Sequence, residues 1–294
     1  MTADPLREWL TTVGAEEGVE PFLTWAPPGH FYSPVPCARD LTRLSPRDDV
    51  PGIDLRTEAQ LELLAEIGAH ASGFLPPDEP RPDWRYHAEN PMFAIGDALA
   101  LQAMLRIRRP DRVIEVGSGW SSAVMLDTAE RFLERCPELI FIEPYPANLD
   151  ALLREEDRAE VTVHPRPVQD VDIDLFSSLG PGDILFIDSS HVVKPGSDVN
   201  YLYFDVLPRL APGVAVHVHD IFFPFEIPDS WLAEGRMWGE TYLLRALLTG
   251  ASEWAILLWN DYLGTKHHDA VMAALRAAEP NTGASIWIER RARV

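Results

Sequence analysis

Five short apolar runs, separated by segments of helical periodicity, constrain this chain more than any other feature of its sequence. The runs are rich in β-branched residues and lack a clean polar alternation, which is typical of parallel strands buried on both faces. They are RVIEV (112–116), LIFIE (139–143), VTVH (161–164), DILFID (183–188) and GVAVHVHD (213–220). Amphipathic segments with helical spacing follow the first, second and fourth runs. This alternation predicts an α/β fold with a doubly wound, mostly parallel sheet.

Two more strand candidates come late in the chain. They are EWAILLW (253–259) and ASIWIERR (284–291), and the segment between them, KHHDAVMAALRAAE, has the character of a short helix. A short helix between two late strands suits an antiparallel edge on an otherwise parallel sheet. We therefore predict that the sheet ends in an antiparallel part.

The first 90 residues differ in composition from the rest of the chain, because they are rich in proline and aromatic residues. One convincing helix, TEAQLELLAEIGAH, can open with a capping box formed by Thr57 and Gln60. We expect 1–90 to be an extension or lid packed on a sheet domain at 91–294; a disordered tail is the alternative, which the many aromatic residues disfavour. The candidates in this extension to contact a substrate are His30, Phe31 and Tyr32.

Charge and cysteine content limit the partners and the compartment. The formal net charge of −21 argues against nucleic acid, because binding to phosphate backbones depends on Lys and Arg. Only two cysteines occur, Cys37 and Cys136, in no disulfide or metal-binding pattern, which favours a reducing cytoplasm. Neither a secretory signal nor an uncharged run of the ~18 residues needed by a membrane helix is present. We predict a cytoplasmic protein without membrane contact, and self-association into a homo-oligomer stays open.

The loop after the first predicted strand, EVGSGWSS (115–122), is the first candidate binding element. Gly117 and Gly119 permit a tight turn and let a ligand approach backbone amides at the start of the next helix. A turn of this kind also binds dinucleotides, but Ser122 occupies the position of the third glycine in the dinucleotide fingerprint. The loop therefore predicts a cofactor site without identifying the cofactor.

Polar residues follow the second and third predicted strands as well. Glu143 closes the second strand, where a carboxylate can accept hydrogen bonds from both hydroxyls of a ribose; a solvated strand end is the alternative. The segment PVQDV (167–171) offers Gln169 and Asp170 to an adenine amino group. Polar loop residues are common without a function, so this second assignment rests on position alone.

Together these motifs resemble the class I S-adenosylmethionine-dependent methyltransferases over roughly 91–294. The similar segments are VIEVGSGWSSAVML, FIEPYP, DILFIDSSHVVKPGSDVN and the late strand pair, and the helix NPMFAIGDALALQAML resembles the segment covering the methionine end of the cofactor. In that family the Rossmann-like sheet has seven strands, with the last one antiparallel and inserted between the fifth and sixth. The resemblance implies S-adenosylmethionine contacts from Glu115, Gly117, Ser118, Gly119, Glu143, Gln169, Asp170 and Asp188.

One branch of the family, the catechol-type and macrocin-type O-methyltransferases, is metal-dependent. It resembles this chain in carrying an acid at the end of the fourth strand, here Asp188, and a polar pair at the end of the fifth, here His219 and Asp220. The resemblance implies one divalent metal held by these three residues, with His191 as a fourth ligand or a base. The first member of the pair is normally an acid, and an imidazole there favours iron, manganese or zinc over magnesium.

The resemblance implies methyl transfer to a small-molecule acceptor, with Asp188, His191 and His219 as catalytic residues. If no metal binds, His191 or His219 would act as the general base. A nicotinamide-dependent oxidoreductase and a non-catalytic protein with the same pocket are the other classes that stay open. His217 lies one strand repeat deeper than His219, and we expect it to be a buried neutral imidazole bonded to a neighbouring group.

Overall fold

The computed structural model describes residues 25–26, 29–44, 48–279 and 281–292. The chain divides into two compact units, Met1–Asp49 and Val50–Val294. The described part of the first unit contains one short helix, α1 (Ala38–Leu41), and a cluster of exposed aromatic side chains. A functional division at residue 90, and the role of the first 90 residues as a lid, stay predictions.

The second unit contains a seven-stranded sheet in the order β3-β2-β1-β4-β5-β7-β6. The strands are β1 (Arg112–Val116), β2 (Glu138–Ile142), β3 (Val161–His164), β4 (Ile184–Ile187), β5 (Ala215–Val218), β6 (Trp254–Trp259) and β7 (Ile286–Arg290). Strands β1 to β5 pair in parallel, and β7 runs antiparallel to both β5 and β6. All seven predicted strands are confirmed, each within two residues at its ends, and so is the insertion of the last strand between β5 and β6.

Helices connect these strands and cover the sheet. They are α2 (Thr57–Ala71), α3 (Ile95–Arg108), α4 (Trp120–Phe132), α5 (Ala147–Leu152), α6 (Ile173–Ser177), α7 (Asp198–Tyr201), α8 (Asp229–Ala233), α9 (Glu240–Leu248), α10 (Asn260–Lys266) and α11 (His268–Ala274). A π-helical turn, Leu202–Val206, continues α7. Across the described ranges, no helix has both the length and the apolar character needed to cross a bilayer.

The order of the strands reverses between β1 and β4, and this reversal positions the site. The chain winds from β1 outward to β3, returns to β4 beside β1 and then proceeds in the opposite direction. Every residue of β4 and β5 is buried, as expected for central strands covered on both faces. In doubly wound sheets, ligands bind in the crevice at the carboxyl ends of the strands where the order reverses.

The predicted capping box at the start of α2 is wrong. The residue before the helix, Arg56, has a left-handed backbone with φ of 51°, and no side chain caps the helix. Thr57 Oγ1 instead shares a hydrogen bond with Tyr262 Oη at 2.8 Å, and buried Gln60 accepts one from the Trp259 amide at 2.7 Å. Tertiary contacts with β6 and α10 therefore recruit both side chains that local sequence assigned to the cap.

Arg85 fixes the proline-rich segment before α3 onto the sheet unit. Its guanidinium is buried and makes ion pairs with Asp127 at 2.9 Å, Glu130 at 2.6 Å and Asp157 at 2.6 Å. The Asp127 carboxylate also accepts the backbone amide of Arg85 at 2.9 Å. Because buried charges are stable only when they are paired and hydrogen-bonded, this cluster determines the path of the chain toward α3.

Candidate active site

A cavity of about 600 Å³ lies at the carboxyl edge of the sheet, beside the point where the strand order reverses. Its walls come from the loop after β1, the residues after β2, β4 and β5, the segment just before α3, and the segment around α8. This volume falls within the roughly 300–1,000 Å³ typical of small-molecule sites. Most residues predicted from the sequence as site residues reach this one cavity.

The loop between β1 and α4 contains two glycines with different roles. Gly117 has φ of +82°, and a Cβ there would collide with the backbone carbonyl of Asp188. Gly119 lines the cavity, and a Cβ there would meet no atom within 4 Å. Gly117 is therefore required for the packing of the loop against the end of β4, whereas Gly119 leaves open space into which a ligand can approach the backbone.

Glu115 lies beneath this loop and is absent from the cavity lining. Its carboxyl group is completely buried and accepts hydrogen bonds from Ser121 Oγ, at 2.6 Å, and from Ser122 Oγ. Ser122 Oγ in turn accepts the Gly119 amide at 3.0 Å. Burial raises the pKa of Glu115 to about 8. The contribution of Glu115 to the site is therefore support of the loop rather than contact with the cavity.

Glu143 is half-buried at the cavity wall, where the sequence predicts a ribose acceptor. Its two oxygens accept the backbone amides of Ser118, at 3.2 Å, and Tyr145, at 2.7 Å. Each carboxylate oxygen has lone pairs for further hydrogen bonds, so the side chain is held in place and still able to accept. Ser118, Tyr145 and Asn148 also line the cavity; the last two were not identified from the sequence.

Gln169 and Asp170 lie outside the cavity lining, although the sequence suggests both as adenine contacts. They belong to a short 3₁₀ turn after β3, and Asp170 is exposed. Gln169 Nε2 donates to the carbonyl oxygen of Gly196 at 2.9 Å. The structure therefore does not bring these two side chains together with Glu143 and the glycine loop.

Asp188, His191 and Asp220 converge at one end of the cavity. His191 Nε2 lies 3.3 Å from Asp188 Oδ1 and 3.7 Å from Asp220 Oδ2. One ligand atom from each of the three residues lies within 4.8 Å of the others, which is a spacing that can hold a metal ion. Adjacent strands β4 and β5 supply the two carboxylates, as the sequence predicts. We name these three residues the carboxylate–histidine cluster.

His219 lines the same cavity but is not one of the three residues grouped at metal-binding spacing, and its predicted place among the metal ligands stays a prediction. Its ring stacks on Phe93, with 5.1 Å between the centroids, and its Nε2 lies 3.6 Å from Asp220 Oδ1. Burial alone would lower the pKa of His219, but the charges of Asp188, Asp220 and Asp97 outweigh it and raise this pKa. The surrounding carboxylates therefore favour the protonated form of His219.

His191, predicted as a fourth ligand or a base, lies within 3.7 Å of both carboxylates of the cluster. Burial would lower the pKa of His191, yet hydrogen bonds with Asp188 and Glu240 hold it well above its usual range. The pKa of Asp188 lies below its usual value because the charge of His219 and the His191 hydrogen bond outweigh burial. His191 and Asp220 both have left-handed backbones, with φ of 59° and 56°. Such backbone angles turn both side chains away from the strand direction and toward the cavity.

His217 is completely buried below the cavity, as predicted. Its ring stacks on Phe186, with 3.8 Å between centroids and 7° between planes, and it meets Trp287 edge-on. Burial, with the charge of His219, lowers its pKa well below the usual value, so the ring is neutral. The predicted hydrogen bond is not found, because neither ring nitrogen has a partner among the described residues.

An aromatic wall formed by Trp231, Arg236 and Trp238 faces the carboxylate–histidine cluster, and the sequence gave no assignment for it. The Arg236 guanidinium lies 4.4 Å from the centroid of Trp231 and 5.2 Å from that of Trp238. Trp238 also stacks on His191 at 4.6 Å. The two tryptophans in DSWLAEGRMWGE (229–240) are the only sequence signal for this wall, and it is a weak one.

Comparison with known proteins relates this geometry to a family. A family model described as a methyltransferase domain matches residues 114–221. An uncharacterized protein of Archaeoglobus fulgidus is 37% identical over 163 residues, which cover 52% of this chain and 73% of that protein.

Solved structures give distant likenesses. A putative O-methyltransferase from Klebsiella pneumoniae is 14% identical, covers 86% of this chain and 95% of its own, and has a TM-score of 0.42. The SAH-bound Podospora anserina methyltransferase PaMTH1 is 16% identical, and the match covers 81% of this chain and 94% of that protein with a TM-score of 0.45.

The residues matched by the family model contain the main elements of the cavity. They include the glycine loop, Glu143 and the whole carboxylate–histidine cluster, and they span β1 to β5. The sheet adds the antiparallel β7 inserted between β5 and β6. The chain belongs to the class I S-adenosylmethionine-dependent methyltransferases.

Proposed function

We propose that this methyltransferase methylates a small-molecule acceptor that is held at the carboxylate–histidine cluster together with one divalent metal. The observation that carries the proposal is the convergence of Asp188, His191 and Asp220 in the same cavity as the glycine loop. The donor site and a polar acceptor site therefore share one cavity. A cavity of about 600 Å³ suits a cofactor with a small acceptor rather than a macromolecular surface.

The residues on the donor side fit S-adenosylmethionine. The open backbone at Gly119, at the start of α4, suits the carboxylate group of its methionine part. Glu143, held by two backbone amides, can accept the ribose hydroxyls. S-adenosylmethionine supplies the methyl group on a sulfonium, and the chain must align the acceptor atom with it.

The carboxylate–histidine cluster also fits a divalent metal. Two carboxylates and one imidazole form a mixed oxygen and nitrogen set that suits iron, manganese or zinc better than magnesium. A metal at these side chains would lower the pKa of an acceptor hydroxyl and hold its oxygen. A bound cation would take the place of the His191 Nε2 proton between the two carboxylates.

The chain's own residues complete the acceptor side. Phe93, Trp231 and Trp238 add apolar surface to the cavity wall beside the cluster. His219, stacked on Phe93, places its imidazole beside the carboxylates. Positioning and desolvation of the acceptor then supply most of the rate in an in-line displacement.

A metal-free mechanism is the second candidate, because Asp188 Oδ1 lies 3.3 Å from His191 Nε2. In this mechanism the Nε2 proton of His191 must first pass to the neighbouring Asp188 carboxylate, and the freed Nε2 lone pair then takes the proton of the acceptor. His219, which the sequence suggested for the same role, is the alternative base.

Titration calorimetry with S-adenosylmethionine tests the donor site. Gly119→Val should abolish binding because the new side chain fills space that the ligand needs, and Glu143→Ala should weaken binding by about 2 kcal/mol. Gly180→Val is the matched control, since its Cβ also has room but lies outside the cavity. Unchanged affinity in the Gly119 variant would refute the placement of the cofactor.

Elemental analysis of protein purified without a histidine tag tests the metal. We expect about one metal per chain, its loss in Asp188→Asn and Asp220→Asn, and activity that returns when single metals are added after chelation. Full activity in chelator would leave only the mechanism with a histidine base. A methyl-transfer screen of phenols, sugars and oxoacids would identify the acceptor.

A further inference from the structure

Glu240 is a buried carboxylate that contacts the carboxylate–histidine cluster from behind. It is the first residue of α9, only 1% exposed, and far in sequence from β4 and β5. It is absent from the lining of the main cavity, so neither cofactor nor acceptor reaches it there. A carboxylate removed from water at this position needs a physical reason.

Two hydrogen bonds join Glu240 to His191. The Oε2 atom of Glu240 lies 2.8 Å from His191 Nδ1, and the Glu240 amide donates to the His191 carbonyl oxygen at 3.1 Å. The first bond fixes the ring and the second fixes the backbone. Glu240 therefore holds both the imidazole ring and the backbone of His191.

This contact determines which ring nitrogen faces the cavity. A carboxylate accepts hydrogen bonds and does not donate them, so Nδ1 carries a proton when it faces Glu240. In the neutral ring, the lone pair then belongs to Nε2, which is the atom directed at Asp188 and Asp220. Carboxylates that hold histidine ligands in this way orient the ring and increase the basicity of the other nitrogen.

Other contacts also restrict the orientation of the His191 ring. Trp238 stacks on its face at 4.6 Å, and the backbone of His191 is left-handed with φ of 59°. The π-helical turn Leu202–Val206 carries the buried Tyr203 near the Glu240 carboxylate, and the Tyr203 hydroxyl and Glu240 Oε1 both lack a hydrogen-bond partner among the described residues. Glu240 therefore restricts the ring of His191 at its Nδ1 atom, and Trp238 restricts it on one face.

We propose that Glu240 is a positioning residue that fixes the Nδ1–H form of His191 and directs its Nε2 atom into the carboxylate–histidine cluster. The proposal rests on the proposed function in one respect, namely that Nε2 binds a metal. The orientation of the ring itself is independent of whether a metal is bound.

Two variants and one control separate charge, hydrogen bonding and fold. Glu240→Gln keeps the shape and an accepting oxygen but removes the charge, and Glu240→Leu removes both. Glu289→Gln is the control, because it alters a half-buried glutamate paired with Arg108 at 3.0 Å, on strand β7 and outside the cavity. Affinity for S-adenosylmethionine, measured first, shows that each variant keeps the fold.

Zinc titration by calorimetry is the first measurement. We expect the affinity to fall in the order wild type, Glu240→Gln, Glu240→Leu, with the leucine variant weaker by about 10-fold to 100-fold. The control should match the wild type. Equal affinity in the wild type and the leucine variant would overturn the proposal while leaving the metal site intact.

Nuclear magnetic resonance of metal-free protein with isotope-labelled histidine is the second measurement. The Nδ1–H proton of His191 should exchange slowly with water in the wild type and rapidly in Glu240→Leu. If the wild type binds no zinc, the proposed metal fails, and this proton still decides the role of Glu240. A proton equally protected in the wild type and the leucine variant would refute the positioning role.

Discussion

Replacement of Glu115 by glutamine should remove a pH dependence of stability that the glycine loop imposes on this protein. Glu115 is completely buried beneath the loop and bonded to the hydroxyls of Ser121 and Ser122. Burial raises its pKa from 4.5 to about 8 in the folded protein. The carboxyl group is therefore mainly protonated at neutral pH, and glutamine reproduces its shape and its neutral charge.

The sign of the effect follows from proton linkage. Below pH 4.5 Glu115 is protonated in both the folded and the unfolded protein, so its contribution to stability is fully present. Between pH 4.5 and about 8 the unfolded chain ionises while the folded protein keeps its proton, so stability falls as pH rises. The free energy of unfolding falls by up to about 1.4 kcal/mol per pH unit, which gives a total decrease on the order of 5 kcal/mol between these two pH values.

Urea unfolding of the wild type and Glu115→Gln from pH 5 to pH 8.5 measures this difference directly. Other titrating groups are common to both proteins, so the difference between their free energies of unfolding isolates Glu115. We expect the glutamine variant to gain stability relative to the wild type as pH rises, and the difference to level off above about pH 8. A difference that stays constant with pH would refute the assignment of a neutral buried carboxyl group.

Two further variants test the packing that holds the site in place. Arg85→Met should lower the free energy of unfolding, measured in urea, by about 3–5 kcal/mol, because it leaves two buried aspartates unpaired. Arg158→Met, which removes an exposed ion pair, should lower it by less than about 1 kcal/mol. Equal decreases in the two variants would contradict this reasoning. Gly117→Ala should weaken S-adenosylmethionine binding by on the order of tenfold or more, because its Cβ collides with backbone at a positive φ. Gly250→Ala, also at a positive φ but in open space, should keep wild-type affinity for S-adenosylmethionine. An equal loss of affinity in the Gly117 and Gly250 variants would show that backbone strain alone is responsible.

Much of the fold could be predicted because its signals are local. The buried strands are continuous apolar runs, and the covering helices carry apolar residues at helical spacing, so both periodicities are visible in the sequence. The capping box at Thr57 and Gln60 could not be judged in this way. Contacts with Tyr262 and Trp259, some 200 residues away in sequence, decide where those two side chains point.

The site likewise contains residues that could be predicted from the sequence and residues that could not. Glu143, Asp188 and Asp220 follow strands, and strand ends meet at one edge of a parallel sheet, so their approach to the cavity was predictable. Which of the two histidines lies nearer to both carboxylates was not predictable. It depends on the left-handed backbone of His191, the ring of Trp238 and the stacking of His219 on Phe93.

The sequence by itself determined the seven strands, the glycine loop and the acids at the strand ends, because periodicity and strand order are properties of neighbouring residues. Only the tertiary structure decided which of those polar residues share a cavity. Glu240, Trp231 and Trp238 reach the site from a region with no motif. Their places are set by packing between elements far apart in the chain, and the Nδ1 bond of His191 to Glu240 is formed only there.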